Sequence, residues 1–169
     1  MASTSTQIAS SSYSYSTHGY DYDVFLSFRG EDTRKNFTDH LYSALVANGV
    51  RTFRDDEELE RGEIITTELL DAIEKSKIFI VVFSKYYAHS KWCLNELVKI
   101  VDRLMVMRHT VLPIFYHVEP SEVRKQTGSY GEAFVNHEQD VDVEKEKVEK
   151  WKAALREAGN ISGWHLHNQ

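Results

Sequence analysis

Ile78-Phe79-Ile80-Val81-Val82-Phe83 is an unbroken apolar run, mostly β-branched, held between Lys77 and Ser84. A segment this short and apolar at every position fits a strand covered on both faces, because a strand with one wet face alternates apolar with polar. It is therefore the centre of a parallel sheet. Outward from it the same texture recurs. Upstream lie Tyr22-Asp23-Val24-Phe25-Leu26-Ser27-Phe28 and the extended stretch Val50–Arg54; downstream lie Val111–Val118 and a short final candidate, Ile161–Leu166. Pro113 lacks an N–H and predicts that its strand lies at an edge or ends there.

Between these strands the apolar period changes to that of a helix. Phe37, Leu41, Ala44 and Leu45 form one stripe, ended by Asn48-Gly49; Ile65, Leu69, Ala72 and Ile73 form a second. Cys93, Leu97, Ile100, Val101 and Leu104 form a third, with Ser90 placed to cap it. Further on, a short helix is expected around Tyr130–Phe134, then an exposed Glu/Lys-rich run from Glu138 to Lys150, then a helix carrying Trp151, Ala154, Leu155 and Ala158. Alternation of strand and helix with right-handed crossovers predicts an α/β chain. The expected form is a flavodoxin-like three-layer sandwich, with a central parallel five-stranded sheet and helices on both faces.

Composition limits the function classes. The chain has 169 residues, 41% hydrophobic, enough for one core rather than two. Twenty Lys and Arg against 26 Asp and Glu leave a net charge of -6, which disfavours a nucleic-acid partner. The single cysteine, Cys93, permits no internal disulfide and points to a reducing compartment; its place on the apolar stripe argues for packing rather than nucleophilic work. No apolar run is long enough to span a membrane. Residues 1–20 read as a disordered Ser/Thr-rich leader, since 1–18 carry no charged and few apolar side chains. Residues 21–169 read as one domain.

In folds of this class, ligands gather at the carboxyl ends of the strands. That edge collects the loops Arg29–Thr33, Asp55–Glu63, Ser84–Trp92 and His117–Arg124. The first places backbone N–H groups at a helix start, where phosphate is favoured, with Arg29 and Arg34 able to add charge-assisted bonds. It has only one glycine, so it is neither a dinucleotide fingerprint nor a P-loop, and Asp32 or Thr33 would also serve as helix caps. Trp92 and Glu96 lie four apart on the third helix, on one strip at the border of the core, with Lys99 and Arg103 beside them. The plain reading of that strip is a solvated face.

The segments Tyr22–Arg34, Phe53-Arg54-Asp55, Arg61-Gly62-Glu63, Trp92-Cys93-Leu94-Asn95-Glu96-Leu97, Pro113-Ile114-Phe115-Tyr116 and Gly131-Glu132-Ala133-Phe134, taken in order, closely resemble the Toll/interleukin receptor (TIR) domain family, in its plant branch. The resemblance covers about Tyr22 to Leu166. It implies a domain of an intracellular disease-resistance receptor, standing here as an isolated signalling domain. It also implies cleavage of NAD+ or NADP+, as substrate rather than cofactor, at the nicotinamide–ribose bond after self-association. The products would be ADP-ribose and cyclised variants that trigger plant defence and cell death, with Glu96 catalytic.

On that reading Trp92 shapes the pocket, and Arg29, Gly30, Glu31, Asp32, Thr33 and Arg34, with Gly62 and Ile65, position the nucleotide. Asp39 and His40 stand where many relatives carry a Ser-His pair used in self-association, and Gly128 matches a second such region. The partners implied are NAD(P)+ and further copies of the domain, without membrane or nucleic acid. The implied compartment is the cytoplasm, with the nucleus as an additional one. A single carboxylate suffices chemically, because the pyridinium leaves as neutral nicotinamide and needs no general acid, unlike an ordinary glycoside.

Two alternatives stand beside this. One is a non-catalytic homotypic interaction module. The other is a response-regulator-like phosphoacceptor using Asp55-Asp56, which Glu31-Asp32 supports poorly as a magnesium pair. Of eight histidines only His165 and His167 are close in sequence, and no metal site is expected from them.

Overall fold

The computed structural model describes residues 19–55, 65–107 and 109–167. The expectations made for residues 1–18 and for Gly62 lie outside the described residues.

In chain order the elements are β1 (Tyr22–Ser27), α1 (Gly30–Thr33), α2 (Phe37–Ala47), β2 (Thr52–Arg54), α3 (Thr67–Glu74), β3 (Ser76–Phe83), α4 (Lys91–Met107), β4 (Thr110–Tyr116), α5 (Pro120–Lys125), α6 (Gly128–Gln139), α7 (Lys145–Gly159) and β5 (Trp164–Leu166), with a 3-10 turn at Tyr87–His89. The strands form one sheet in the order β2-β1-β3-β4-β5, parallel throughout. This is the flavodoxin-like arrangement, and β3 is its centre.

The all-apolar strands are explained by what lies on each side. Phe25, Phe79, Val81, Phe83 and Phe115 point into a core shared with Leu69 and Ile73 of α3, Leu97 and Ile100 of α4, and Trp151 and Leu155 of α7. Val24, Leu26, Ile80, Val82 and Ile114 point the other way, against Phe37, Leu41 and Leu45 of α2. Alternate residues of one strand thus serve two cores. Ala44, expected on the α2 stripe, faces solvent.

Pro113 corrects an expectation. β4 is not an edge strand: Pro113 pairs in register with Val81 on one side, and β5 adds on the other, starting opposite Ile114. A Cβ on Gly163 would lie 2.0 Å from the Pro113 carbonyl oxygen, so that carbonyl faces the β5 side. The N–H and C=O of one strand residue point to the same side, so the missing donor falls where β5 has not yet begun.

Beyond β4 the helices exceed expectation. Pro120 does not merely close the strand; it occupies the first turn of α5, where its lacking N–H costs nothing. The expected short helix near Tyr130 extends to α6, and part of the Glu/Lys run is already α7.

Candidate functional site

The strand order reverses between β1 and β3, and the loops that leave their carboxyl ends meet there. Asp32 joins them. Its Oδ2 accepts from Ser84 Oγ at 2.6 Å and from the Tyr86 backbone N at 3.1 Å, while Oδ1 accepts from Arg29 Nη1 at 2.5 Å. Arg29 Nη2 donates to Glu31 Oε2 at 2.8 Å. Burial works against the Arg29 charge, but Asp32 and Glu31 outweigh it and its pKa is raised. The arginine is thus neutralised from within its own loop.

Neither Asp32 nor Thr33 caps the following helix, as the sequence suggested. Asn36 does, its Oδ1 accepting from Phe37 N at 2.6 Å. Thr33 is buried and its hydroxyl bonds that of Thr38 at 2.6 Å. Arg34 Nη2 donates to the Asp55 carbonyl at 3.2 Å, and its guanidinium lies over the Phe28 ring. A Cβ on Gly30 would come within 2.8 Å of that guanidinium, the far end of a flexible side chain that can shift to make room. Gly30, Glu31, Asp32, Arg34, Lys35 and Asn36 line a cleft of about 360 Å³.

On the other side of this junction α4 begins. Ser90 caps it as expected, Oγ accepting from Cys93 N at 3.1 Å. Trp92 and Glu96 are not on a solvated strip: they are 5% and 3% exposed. Cys93 lies in the core, with its thiol against the Phe28 carbonyl. Tyr87 stands between α4 and β1. Its hydroxyl donates to the Cys93 carbonyl at 3.2 Å and accepts from Ser27 Oγ at 2.8 Å. Burial, with the nearby Cys93 and Glu96 as negative groups, pushes the Tyr87 phenol well above its ordinary range. Tyr130 is likewise enclosed and donates to the Ser84 carbonyl at 2.8 Å.

Sequence reasoning missed these tyrosines, Ser84, and His89. The His89 Nδ1 is enclosed without a hydrogen-bond partner, and its pKa is lowered by burial and by Arg29. Only Tyr87's place in an otherwise polar loop hinted at burial.

Among the described residues, Ile65 and the Gly30–Arg34 loop line different cavities. Ile65 precedes the Thr66 cap of α3 and lines a separate groove of about 320 Å³ with Asn95, Val98, Lys99 and residues of α7, including Trp151. Asn95 Oδ1 accepts from Trp151 Nε1 at 3.0 Å, fixing α4 against α7. Asp39 and His40 are both exposed on α2, and Asp39 pairs with Arg54 at 3.1 Å. Gly128 opens α6 at φ 57°, a conformation that favours glycine.

Among the described residues no helix is long and apolar enough to cross a membrane. The TIR domain family model matches residues 21–169. Disease resistance protein RPV1 of Vitis rotundifolia is 60% identical over 168 residues, which is 98% of this chain and 12% of that protein. TMV resistance protein N of Nicotiana glutinosa is 53% identical over 89% of this chain and 13% of its own length. The chain thus spans about an eighth of the relatives it matches. Among solved structures, the TIR domains of the activated Roq1 resistosome, which directly recognises the pathogen effector XopQ, superpose with a TM-score of 0.80 at 51% identity, covering 85% of this chain and 87% of that one. The order of strands, the loops gathered at the β1–β3 junction and these likenesses agree, and the chain belongs to the TIR domain family.

Proposed function

We propose that this domain is a self-association-dependent NAD(P)+ glycohydrolase, and that Glu96 carries the chemistry. The observation that supports it is a carboxylate only 3% exposed, next to Trp92 on the helix that follows the central strand. A carboxylate removed from water attracts any cationic charge brought against it more strongly, and buried carboxylates cluster at functional sites. The ribose C1′–N bond lengthens, its electron pair passes to the pyridinium nitrogen, and neutral nicotinamide leaves. Glu96 stabilises the oxocarbenium-like charge left on the ribose. Water then adds at C1′ and loses a proton, giving ADP-ribose; attack by the adenine instead gives a cyclic product.

Near-complete burial means that Glu96 meets a ribose only after the surroundings open, so a dilute monomer turns over slowly. Assembly supplies that change in this reading, and the similar Roq1 TIR domains are those of an activated resistosome. Asp39, His40 and Gly128 lie at the self-association surfaces. The immune setting is carried over from the disease-resistance relatives, and the single buried cysteine suits a reducing cytoplasm, with the nucleus as a further compartment.

The second reading, a docking module without turnover, is favoured by the internal pairing of Arg29, Glu31 and Asp32, which leaves that loop little charge for a phosphate. Nicotinamide release from NAD+ by the concentrated domain separates the two. Loss in Glu96→Gln with association intact supports the glycohydrolase, and no release by an assembled wild type leaves the docking module.

A further inference from the structure

Glu119, His165 and His167 come together at the carboxyl edge of β4 and β5. Their ligating atoms, one from each side chain, all lie within 4.8 Å of one another. We propose that they form a binding site for a divalent transition metal of the zinc class, clamping β5 to the start of α5.

Strand geometry makes the pair of histidines. β5 pairs with β4 in the register Phe115↔His165 and Tyr116↔Leu166. Side chains alternate along a strand, so Leu166 enters the α2-side core while His165 and His167 share the opposite face. Their rings lie 3.8 Å apart, centroid to centroid. The strand end is held by the His117 backbone N, which donates to the Leu166 carbonyl at 2.8 Å.

His165 is also oriented. Its ring meets Phe115 edge-on at 6.2 Å, and Nε2 is 2.8 Å from the Val118 carbonyl. A backbone carbonyl on one ring nitrogen fixes tautomer and angle, as it does in established zinc sites. The next residue along, Glu119, is the N-cap of α5, and its Oε2 is 3.9 Å from the ring's Nε2; with Nε2 donating to Val118, Nδ1 is the ring nitrogen left to bind an ion. No metal was expected from the sequence because it offers two close histidines only; the fold brings the third donor from another element.

The donor set selects the ion. Two imidazoles and one carboxylate suit Zn2+, Co2+, Ni2+ or Cu2+, whereas Ca2+ and Mg2+ prefer oxygen throughout. Donors about 2.0–2.1 Å from a tetrahedral zinc stand roughly 3.4 Å from each other, so the cluster must contract modestly. Glu119 and His167 are exposed and free to swing inward, while His165 is the half-buried fixed member. Three protein ligands leave a fourth position for water. The consequence is mechanical: a bound ion ties a three-residue edge strand to the helix beside it.

The test uses the whole chain without a polyhistidine tag. Zn2+ titration by calorimetry and Co2+ titration by visible absorption should each give one site per chain. His167→Ala and Glu119→Gln should each weaken binding by about tenfold or more. Zn2+ should raise the wild-type Tm and leave that of His167→Ala unmoved. His167 is exposed and lies past the strand, so its loss leaves the fold intact. Equal binding by wild type and His167→Ala, or no Zn2+ binding by a folded wild type, overturns the proposal.

Discussion

Ser84 donates its hydroxyl proton to Asp32 Oδ2 at 2.6 Å, across 52 positions of sequence, and so fastens the loop after β3 to the loop after β1. Asp32 is therefore first a clamp. It accepts from three donors, those of Ser84, Tyr86 and Arg29. Replacing it leaves each to find water or nothing.

Asp32→Ala should destabilise the domain by about 1–3 kcal/mol, the cost of donors left without an acceptor. Asp32→Asn should recover part of that. Urea unfolding of the three proteins checks the order wild type, Asn, Ala, and a neutral Asp32→Ala contradicts the clamp.

Tyr87 and Tyr130 should ionise only when the domain unfolds. Both phenols are raised well above the ordinary tyrosine value, chiefly by burial. A raised folded-state pKa means that the native state holds the proton more tightly. The stabilisation is complete below the unfolded pKa, about 10, and is lost as pH rises above it. Alkaline titration should show a late phenolate signal coincident with loss of circular dichroism, absent from the Tyr87→Phe, Tyr130→Phe double variant.

His89 acts at the opposite end of the pH range. Its pKa is lowered by burial and by the Arg29 charge. With the folded value below the unfolded one, its contribution is present above about pH 6.5 and is lost as pH falls through the folded pKa. His89→Gln should flatten the decline in urea midpoint between about pH 7 and pH 5. An unchanged slope removes His89 from the account.

Gly163→Ala should cost about 1–3 kcal/mol, because its Cβ would sit 2.0 Å from the Pro113 carbonyl oxygen, a backbone atom that cannot swing aside. Thermal unfolding measures it. Pro113 and Gly163 together also show the limit of sequence reading. Proline foretold a strand end because nothing in the sequence says that β5 starts one residue further along.

Much of the rest was legible. A wholly apolar Ile78–Phe83 meant two covered faces, and both cores are there. The stripe on α4 foretold Leu97, Ile100 and Val101 as core. It placed Glu96 at the border, whereas α4 buries a wider arc: the sheet lies on one side, and α7 is fixed on another through Asn95 and Trp151. That second contact joins residues 56 positions apart, beyond any periodicity. The roles expected for Asp32 and Thr33 moved for the same reason: their partners lie elsewhere in the chain or in the next turn.

Self-association can be probed without disturbing the fold. Asp39 and His40 are exposed, and the Asp39–Arg54 pair is a surface one. Asp39→Ala and His40→Ala should change stability by under about 0.5 kcal/mol. A much larger loss of association, read by light scattering, supports their place at the contact. Gly128 is the poorer probe, since a side chain at its positive φ strains the start of α6.

The central claim is that Glu96 performs chemistry. The direct measurement is nicotinamide release from NAD+ by the concentrated domain, comparing wild type, Glu96→Gln and His40→Ala, with association followed in the same samples. The account predicts turnover by wild type, none by an associated Glu96→Gln, and little by a dissociated His40→Ala. An associated Glu96→Gln that releases nicotinamide as fast as wild type, or an associated wild type that releases none, contradicts it.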